Sequence, residues 1–397
     1  MPLAHLYVGM GANYVCPRCG NSDPRYIGTK NKVKYCRRCL IFQGEEVKRA
    51  EGAPKPVSLS IPYHLSKEQK ELSERILANY KQGKDTLVYA VCGSGKTEIS
   101  FGVIGFAMSE GHKVAFALPR RDVVIELSSR LAEAFPTNRI VAVYGGHNEE
   151  LEGDCIVLTT HQLYRYPDYF DLIVMDEVDA FPFKGSELLE AMLKRSLRGR
   201  LVMMSATPSK ELVAQFRKPG KDLVTLHTRF HKKPIPVPKL VVGPAPYLLL
   251  SLLRLLRRYQ KEGKPCFIFV PTVALSEDLH RKTSLFCPNG NYVSSKREKR
   301  AKIIADFKKG RYSYLVTTAV LERGITVRNL QVIVYLGDES IYDAAALIQI
   351  AGRAGRKKDA PFGEVTFLAR KETKGIDNAI IEIKRCNAFL PKVLQTS

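Results

Sequence analysis

No apolar run in this 397-residue sequence reaches the roughly 20 residues that a membrane-spanning helix needs. The most apolar stretch, PYLLLSLLRLLRRYQ at 246–260, is broken by Arg254, Arg257 and Arg258 and reads as an amphipathic core helix. The opening residues, MPLAHLYVGMGANYVC, lack the basic region and apolar core of a secretory signal, so the chain is expected in the cytoplasm. Low-complexity tracts are absent too. With 45% hydrophobic and 26% charged residues, the composition is that of a globular protein with room for about two or three domains. Acidic residues are in short supply, 40 against 62 Lys and Arg, which leaves a net charge of +22. Such an excess favours a polyanionic partner, because each Lys or Arg contact to phosphate releases counterions. Nucleic acid is the expected class; added solubility is the plainer explanation.

A reducing compartment argues against a disulfide framework for the nine cysteines. Four of them, Cys16, Cys19, Cys36 and Cys39, form CPRC and CRRC with sixteen residues between the pairs. Two such knuckles supply four thiolates, the pattern of a tetrahedral Zn²⁺ site of ribbon type, and the intervening residues can return as a hairpin. Redox-active dithiols or core cysteines fit less well, because both pairs fall in one small segment. At that size a metal would replace a hydrophobic core. Cys92, Cys155, Cys266, Cys287 and Cys386 are scattered singles that read as small buried or loop residues.

Three regions follow from the patterning: a four-cysteine module at 1–55, an α/β unit at 56–228, and a second at 229–397 that includes a proline-rich linker at 229–246. Apolar runs at 86–91, 113–118, 154–160, 171–176 and 200–206 alternate with helical patterns, and so do runs at 265–271, 312–318, 331–337 and 364–369. Strands that are apolar at nearly every position belong in parallel sheets covered on both faces. The fold class is therefore α/β with two tandem parallel-sheet domains.

The stretch AVCGSGKTEIS at 90–100 follows such a strand and opens a helix, the context a phosphate-binding loop requires. Ala90 stands where the usual signature has glycine, but at the strand end, away from the phosphates. Gly93, Ser94 and Gly95 let backbone N–H groups converge, Lys96 reaches the β- and γ-phosphates, and Thr97 can ligate Mg²⁺; Glu98 adjoins them. Downstream, DLIVMDEVD delivers Asp176 and Glu177 at a strand end, one carboxylate for Mg²⁺ and one to orient and deprotonate a water. Taken alone, the second motif could be an acidic loop after a buried strand.

GSGKT, DEVD, SAT at 205–207 and QIAGRAGR at 349–356, in that order, resemble motifs I, II, III and VI of superfamily 2 helicases. The resemblance implies two RecA-like domains with ATP between them. It implies Arg353 and Arg356 as the arginines that stabilise charge on the γ-phosphoryl group, and Gln69 as an adenine-recognising glutamine. It further implies a coupling set of Asp179, Ser205, Thr207 and Gln349. The nucleic-acid track would run over Pro119, Arg120, Arg121, Gly145, Gly146, Thr160 and His161, then Pro271, Thr272, Thr318, Arg323 and Gly324. DEVD in place of DEAD or DEAH, and Thr326 where many relatives carry aspartate, narrow the match. With the four-cysteine module and RFHKKPIPVPK, the chain is similar to the ComFA family of late competence ATPases. That resemblance implies a single-stranded-DNA translocase using ATP, Mg²⁺ and Zn²⁺, at the inner face of the membrane with a ComFC-type partner and DNA-uptake machinery; an oligomer would be compatible with it. A replication-restart or repair helicase of PriA type, an RNA helicase, or a binding module with a relic ATP site are the alternatives.

Overall fold

The computed structural model describes residues 14–388 apart from 43, 92, 148, 180, 181, 184, 230, 295, 296, 298, 319–326 and 358, and leaves out the side chain of 301. Cys92, Arg323, Gly324 and Thr326 lie outside the described residues. The chain divides into two compact units, one of Met1–Tyr89 with Lys96–Leu226, the other of His227–Ser397 with the short segment Ala90–Gly95.

The first unit holds a seven-stranded sheet in the order Ile140–Val143, Cys155–Thr159, Val114–Leu118, Phe170–Asp176, Leu197–Ser205, Asp85–Ala90, Lys221–Leu226. From the first of these to Asp85–Ala90 every pair is parallel. Strands Val114–Leu118 and Cys155–Thr159 are buried at every residue, as their unbroken apolar runs require. The helices Phe101–Ser109 and Arg121–Ala134 pack on this sheet. Ahead of it, the hairpin Ile27–Lys30 with Val33–Cys36 turns at Asn31 and Lys32, both left-handed at φ 52° and 66°, as a two-residue hairpin turn demands.

The second unit carries a six-stranded, wholly parallel sheet in the order Lys239–Val242, Val365–Ala369, Gln331–Tyr335, Cys266–Val270, Tyr314–Thr318, Gly290–Val293. Its two faces feed two cores. Phe267 and Phe269 join Phe307, Ile350 and Ile376 on one side, while Ile268 and Val270 join Leu248, Leu252 and Leu256 on the other. That alternation is the two-residue period of a strand buried on both faces. Each such side chain contributes about 1.5–3 kcal/mol on leaving water.

The segment 229–246, expected as a proline-rich linker within the second domain, falls in this unit and is packed into it. Arg229 and Ile235 are buried, the Ile235 backbone exchanges two hydrogen bonds with the Asn387 side chain, and Lys239–Val242 is an edge strand. Pro234, Pro236 and Pro238 precede the strand, which lies at a sheet edge where a missing N–H costs least, while Pro244 and Pro246 follow it at the start of helix Ala245–Lys261.

Candidate nucleotide site and nucleic-acid face

Parallel strands send all their C-terminal ends to one edge, where the loops of α/β folds carry function. In the first sheet that edge falls into two halves. Three adjacent strands, Phe170–Asp176, Leu197–Ser205 and Asp85–Ala90, lead into the acidic pair, the SAT residues and the glycine loop. The next three, Val114–Leu118, Cys155–Thr159 and Ile140–Val143, lead into Pro119–Arg120–Arg121, Thr160–His161 and Gly145–Gly146.

In the first half, Gly93 and Gly95 are left-handed at φ 81° and 78°, a conformation any β-carbon would strain. The helix Lys96–Ile99 follows directly. Lys96 Nζ stands 3.5 Å from Asp176 Oδ1, and both side chains are largely buried. Burial raises the Asp176 carboxyl above its ordinary value and the Glu177 charge adds to this, while Lys96 opposes both. A carboxylate so placed favours an added cation, which is the fit that Mg²⁺ bound to ATP requires. Glu177 itself has a left-handed backbone, φ 57°, and its N–H donates to Asp176 Oδ1 at 2.7 Å. Strain of this kind, of order 1–2 kcal/mol, aims the carboxylate away from the path the strand would give it.

Of the four residues expected to couple, Asp179, Ser205 and Thr207 meet. Ser205 Oγ donates to Asp179 Oδ1 at 2.9 Å, Thr207 Oγ1 donates to the other carboxylate oxygen, and Thr207 N donates to Ser205 Oγ at 2.9 Å. Two other nucleotide-side residues are engaged locally. Gln69 closes a capping box with Ser66 at the start of helix Lys67–Lys81, its Oε1 accepting from Ser66 N at 2.8 Å. Glu98 is ion-paired with Arg130 and accepts from Tyr63 Oη at 3.4 Å, so its carboxylate is engaged by these two side chains.

In the second half, the Arg121 guanidinium lies 4.7 Å from the centre of the Tyr144 ring, which ties that helix start to the turn carrying Gly145 and Gly146. Gly146 is left-handed at φ 81° and faces open space. Arg120 occupies the N-cap position of helix Arg121–Ala134 without a side-chain capping bond, and Pro119 precedes it. Thr160 is fully buried, backbone and side chain alike. His161, half-buried, is held below its ordinary value by burial, which disfavours its charged form.

In the second unit, Thr272 caps helix Val273–Ser284 through its Oγ1, with Pro271 before it, and buried Thr318 ends the neighbouring strand Tyr314–Thr318. Helix Ala344–Ala351 carries Gln349 and leads into Arg353, which is buried with its guanidinium 5.9 Å from the Phe269 ring, and Arg356. Arg229 and His231 grip this same turn. Reading 229–246 as a connector missed them, since one arginine and one histidine among prolines give no periodic signal.

The four cysteines converge with all Sγ atoms within 4.8 Å of one another. Cys16 and Cys39 are 3.8 Å apart, Cys19 and Cys36 3.7 Å. A tetrahedron with metal–sulfur bonds of about 2.3 Å has edges of about 3.8 Å, so the donors already stand at metal-binding spacing. Thiol hydrogen bonds from Cys19 and Cys39 pull the Cys16 thiol down and push those two up. The module is fastened to the first unit by Glu46, which meets Arg18 at 3.1 Å and Arg195 at 3.0 Å, and by Arg49 to Asp171 at 3.0 Å. Phe42 packs on Tyr164, 5.1 Å between ring centres, in the turn that begins at Thr160.

Comparison with known proteins agrees with this architecture. The family model for the type III restriction enzyme res subunit matches residues 62–210, and the helicase conserved C-terminal domain matches 248–358. Yeast Dbp5 bound to RNA and ADP BeF3 superposes with a TM-score of 0.61 at 18% identity, over 83% of this chain and 93% of that one. RecG bound to a three-way DNA junction gives 0.58 at 20% identity, over 87% of this chain and 49% of that one. At these identities they speak for the fold alone. Fold and family models together define a helicase-like ATPase of superfamily 2. Among relatives, the competence protein ComFA of Bacillus subtilis is 34% identical over 96% of this chain and 87% of its own. That of Streptococcus pneumoniae is 31% identical over 94% and 90%. The chain belongs to the ComFA family of competence proteins.

Proposed function

We propose that the protein is an ATPase stimulated by single-stranded DNA that translocates along it and draws transforming DNA into the cell during competence. The observation that carries this reading is the divided edge of the first sheet, with phosphate loop and acidic pair on three adjacent strands and the basic and turn residues on the next three. On this reading the backbone of 93–95 cradles phosphates, Lys96 neutralises them, Thr97 and Asp176 hold Mg²⁺, and Glu177 orients and deprotonates the attacking water. Arg353 and Arg356 stabilise charge on the γ-phosphoryl group. The Asp179–Ser205–Thr207 network and Gln349 pass the state of the nucleotide on to the nucleic-acid loops. Backbone amides, hydroxyls and arginines there suit phosphate contacts, which set position without reading sequence.

The cysteine cluster is assigned Zn²⁺ in a structural role, since four thiolates at tetrahedral spacing leave no open position for a reactant. Family membership supports a ComFC-type partner and the uptake machinery at the inner face of the membrane. Among the described residues no helix is long and apolar enough to cross a membrane, so such an association would be peripheral.

The test is ATP turnover alone and with single-stranded DNA, duplex DNA or RNA at two salt concentrations. Stimulation by single-stranded DNA that weakens with salt is expected. Stimulation by RNA alone would turn the assignment to an RNA helicase, and absence of turnover would leave a binding module.

A further inference from the structure

We propose that Arg229 is a positioning residue for the arginine-bearing turn: its buried guanidinium holds the carbonyls of Gly352, Ala354 and Gly355 and so fixes where Arg356 can reach. The proposal rests on the reading of Arg353 and Arg356 given above.

Helix Ala344–Ala351 ends at this turn, with Gly352 as its cap. Carbonyls at a helix C-terminus have lost their intrahelical partners and carry partial negative charge. Arg229, 2% exposed, donates from Nη2 to Gly352 O at 2.7 Å and from Nη1 to Ala354 O and Gly355 O, both at 3.0 Å. Three carbonyls in a fixed arrangement suit the rigid fork of a guanidinium, which a lysine ammonium cannot reproduce. Gly352 O also accepts from Arg356 Nε at 3.0 Å. The two arginines thus share one acceptor, and moving the first changes the anchor of the second.

His231 completes the grip. Its Nδ1 accepts from Lys233 N at 3.1 Å, so Nε2 carries the proton and donates to Gly355 O at 2.9 Å. Gly355 is left-handed at φ 63°, and a β-carbon there would come within 2.2 Å of Pro361 O. The turn therefore has one conformation, and the residues that hold it come from a segment more than a hundred positions earlier.

The test uses the full-length chain with Arg229→Met, Arg229→Lys and, as the reference for the site itself, Arg356→Ala. ATP turnover with single-stranded DNA gives kcat and KM separately, and amide hydrogen exchange is followed across the second unit. Arg229→Met is expected to lower kcat at least about tenfold with KM within about threefold, and to speed exchange at 352–356 alone. Arg229→Lys recovers only part of kcat. A merely structural role would instead raise exchange throughout the second unit. Parental kcat in Arg229→Met beside a loss in Arg356→Ala overturns the proposal. If Arg229→Met does not fold, parental kcat in Arg229→Lys overturns it equally. Parental turnover in Arg356→Ala removes the underlying reading of the arginines instead.

Discussion

The two sheets follow one plan, yet they present opposite charge at their functional turns. The first offers Asp176 and Glu177 beside Lys96, the second Arg353 and Arg356. In each, backbone does much of the holding. Glu177 N–H donates to Asp176, and the carbonyl of Gly352 accepts from Arg356. Backbone groups are fixed by the fold, so a charge anchored to them keeps its place when a ligand arrives with charge of its own. Side-chain ion pairs alone would have to break and re-form. The difference lies in what anchors the anchor: strand-end strain at Glu177 in the first unit, a buried arginine from the preceding segment in the second.

The largest break in the comparison would come from the first unit. Lys96→Ala should lower ATP turnover by about 10²–10³-fold or more while sparing DNA binding, measured by a phosphate-release assay beside a binding titration. Persistent turnover would sink the phosphate-site assignment. Among the described residues the cysteine cluster has no counterpart in the second unit, and Cys36→Ser should strip it of zinc and unsettle its hairpin, read by metal analysis and by proteolysis near residue 40. Unchanged zinc content would refute the metal assignment. A smaller effect is expected from Asp179→Asn, which weakens the bonds from Ser205 and Thr207. Basal turnover should persist while stimulation by DNA drops about tenfold, and equal stimulation would show that the network carries no coupling.

The smallest effect separates the units by pH. Burial and the Arg229 charge hold His231 below its ordinary 6.5, so the folded state binds fewer protons there than the unfolded chain. Its contribution to stability is full above 6.5 and is lost as pH falls through and below that value. Melting temperatures at pH 8 and pH 5.5 should differ less in His231→Gln than in the parent, a difference that thermal scans can read.

Much of this was legible from residues alone. Nine apolar runs marked nine strands, and all nine are present. The four strands that escaped, Ile140–Val143, Lys221–Leu226, Lys239–Val242 and Gly290–Val293, are the four sheet edges. An edge strand is covered incompletely: Lys221–Leu226 and Gly290–Val293 mix polar with apolar residues, while Ile140–Val143 and Lys239–Val242 are apolar runs too short, at three or four residues, to stand out. The glycine loop and the two cysteine knuckles were legible because consecutive residues supply the backbone shape and the clustered thiols. Gln69 and Glu98 lie on helices as expected, where their side chains bond Ser66 and Arg130, and the Arg130 contact is one that no short motif encodes.

By itself the sequence determined two parallel sheets, a glycine loop, an acidic strand end and a pair of knuckles, because each depends on spacing within a few residues. Only the tertiary structure decided that Asp179 would meet Ser205 and Thr207, that Glu46 would join Arg18 to Arg195, and that Arg229 would reach the turn at 352–355. Those contacts join segments from 26 to 149 residues apart, and such pairings arise from strand order and packing, which no local pattern records.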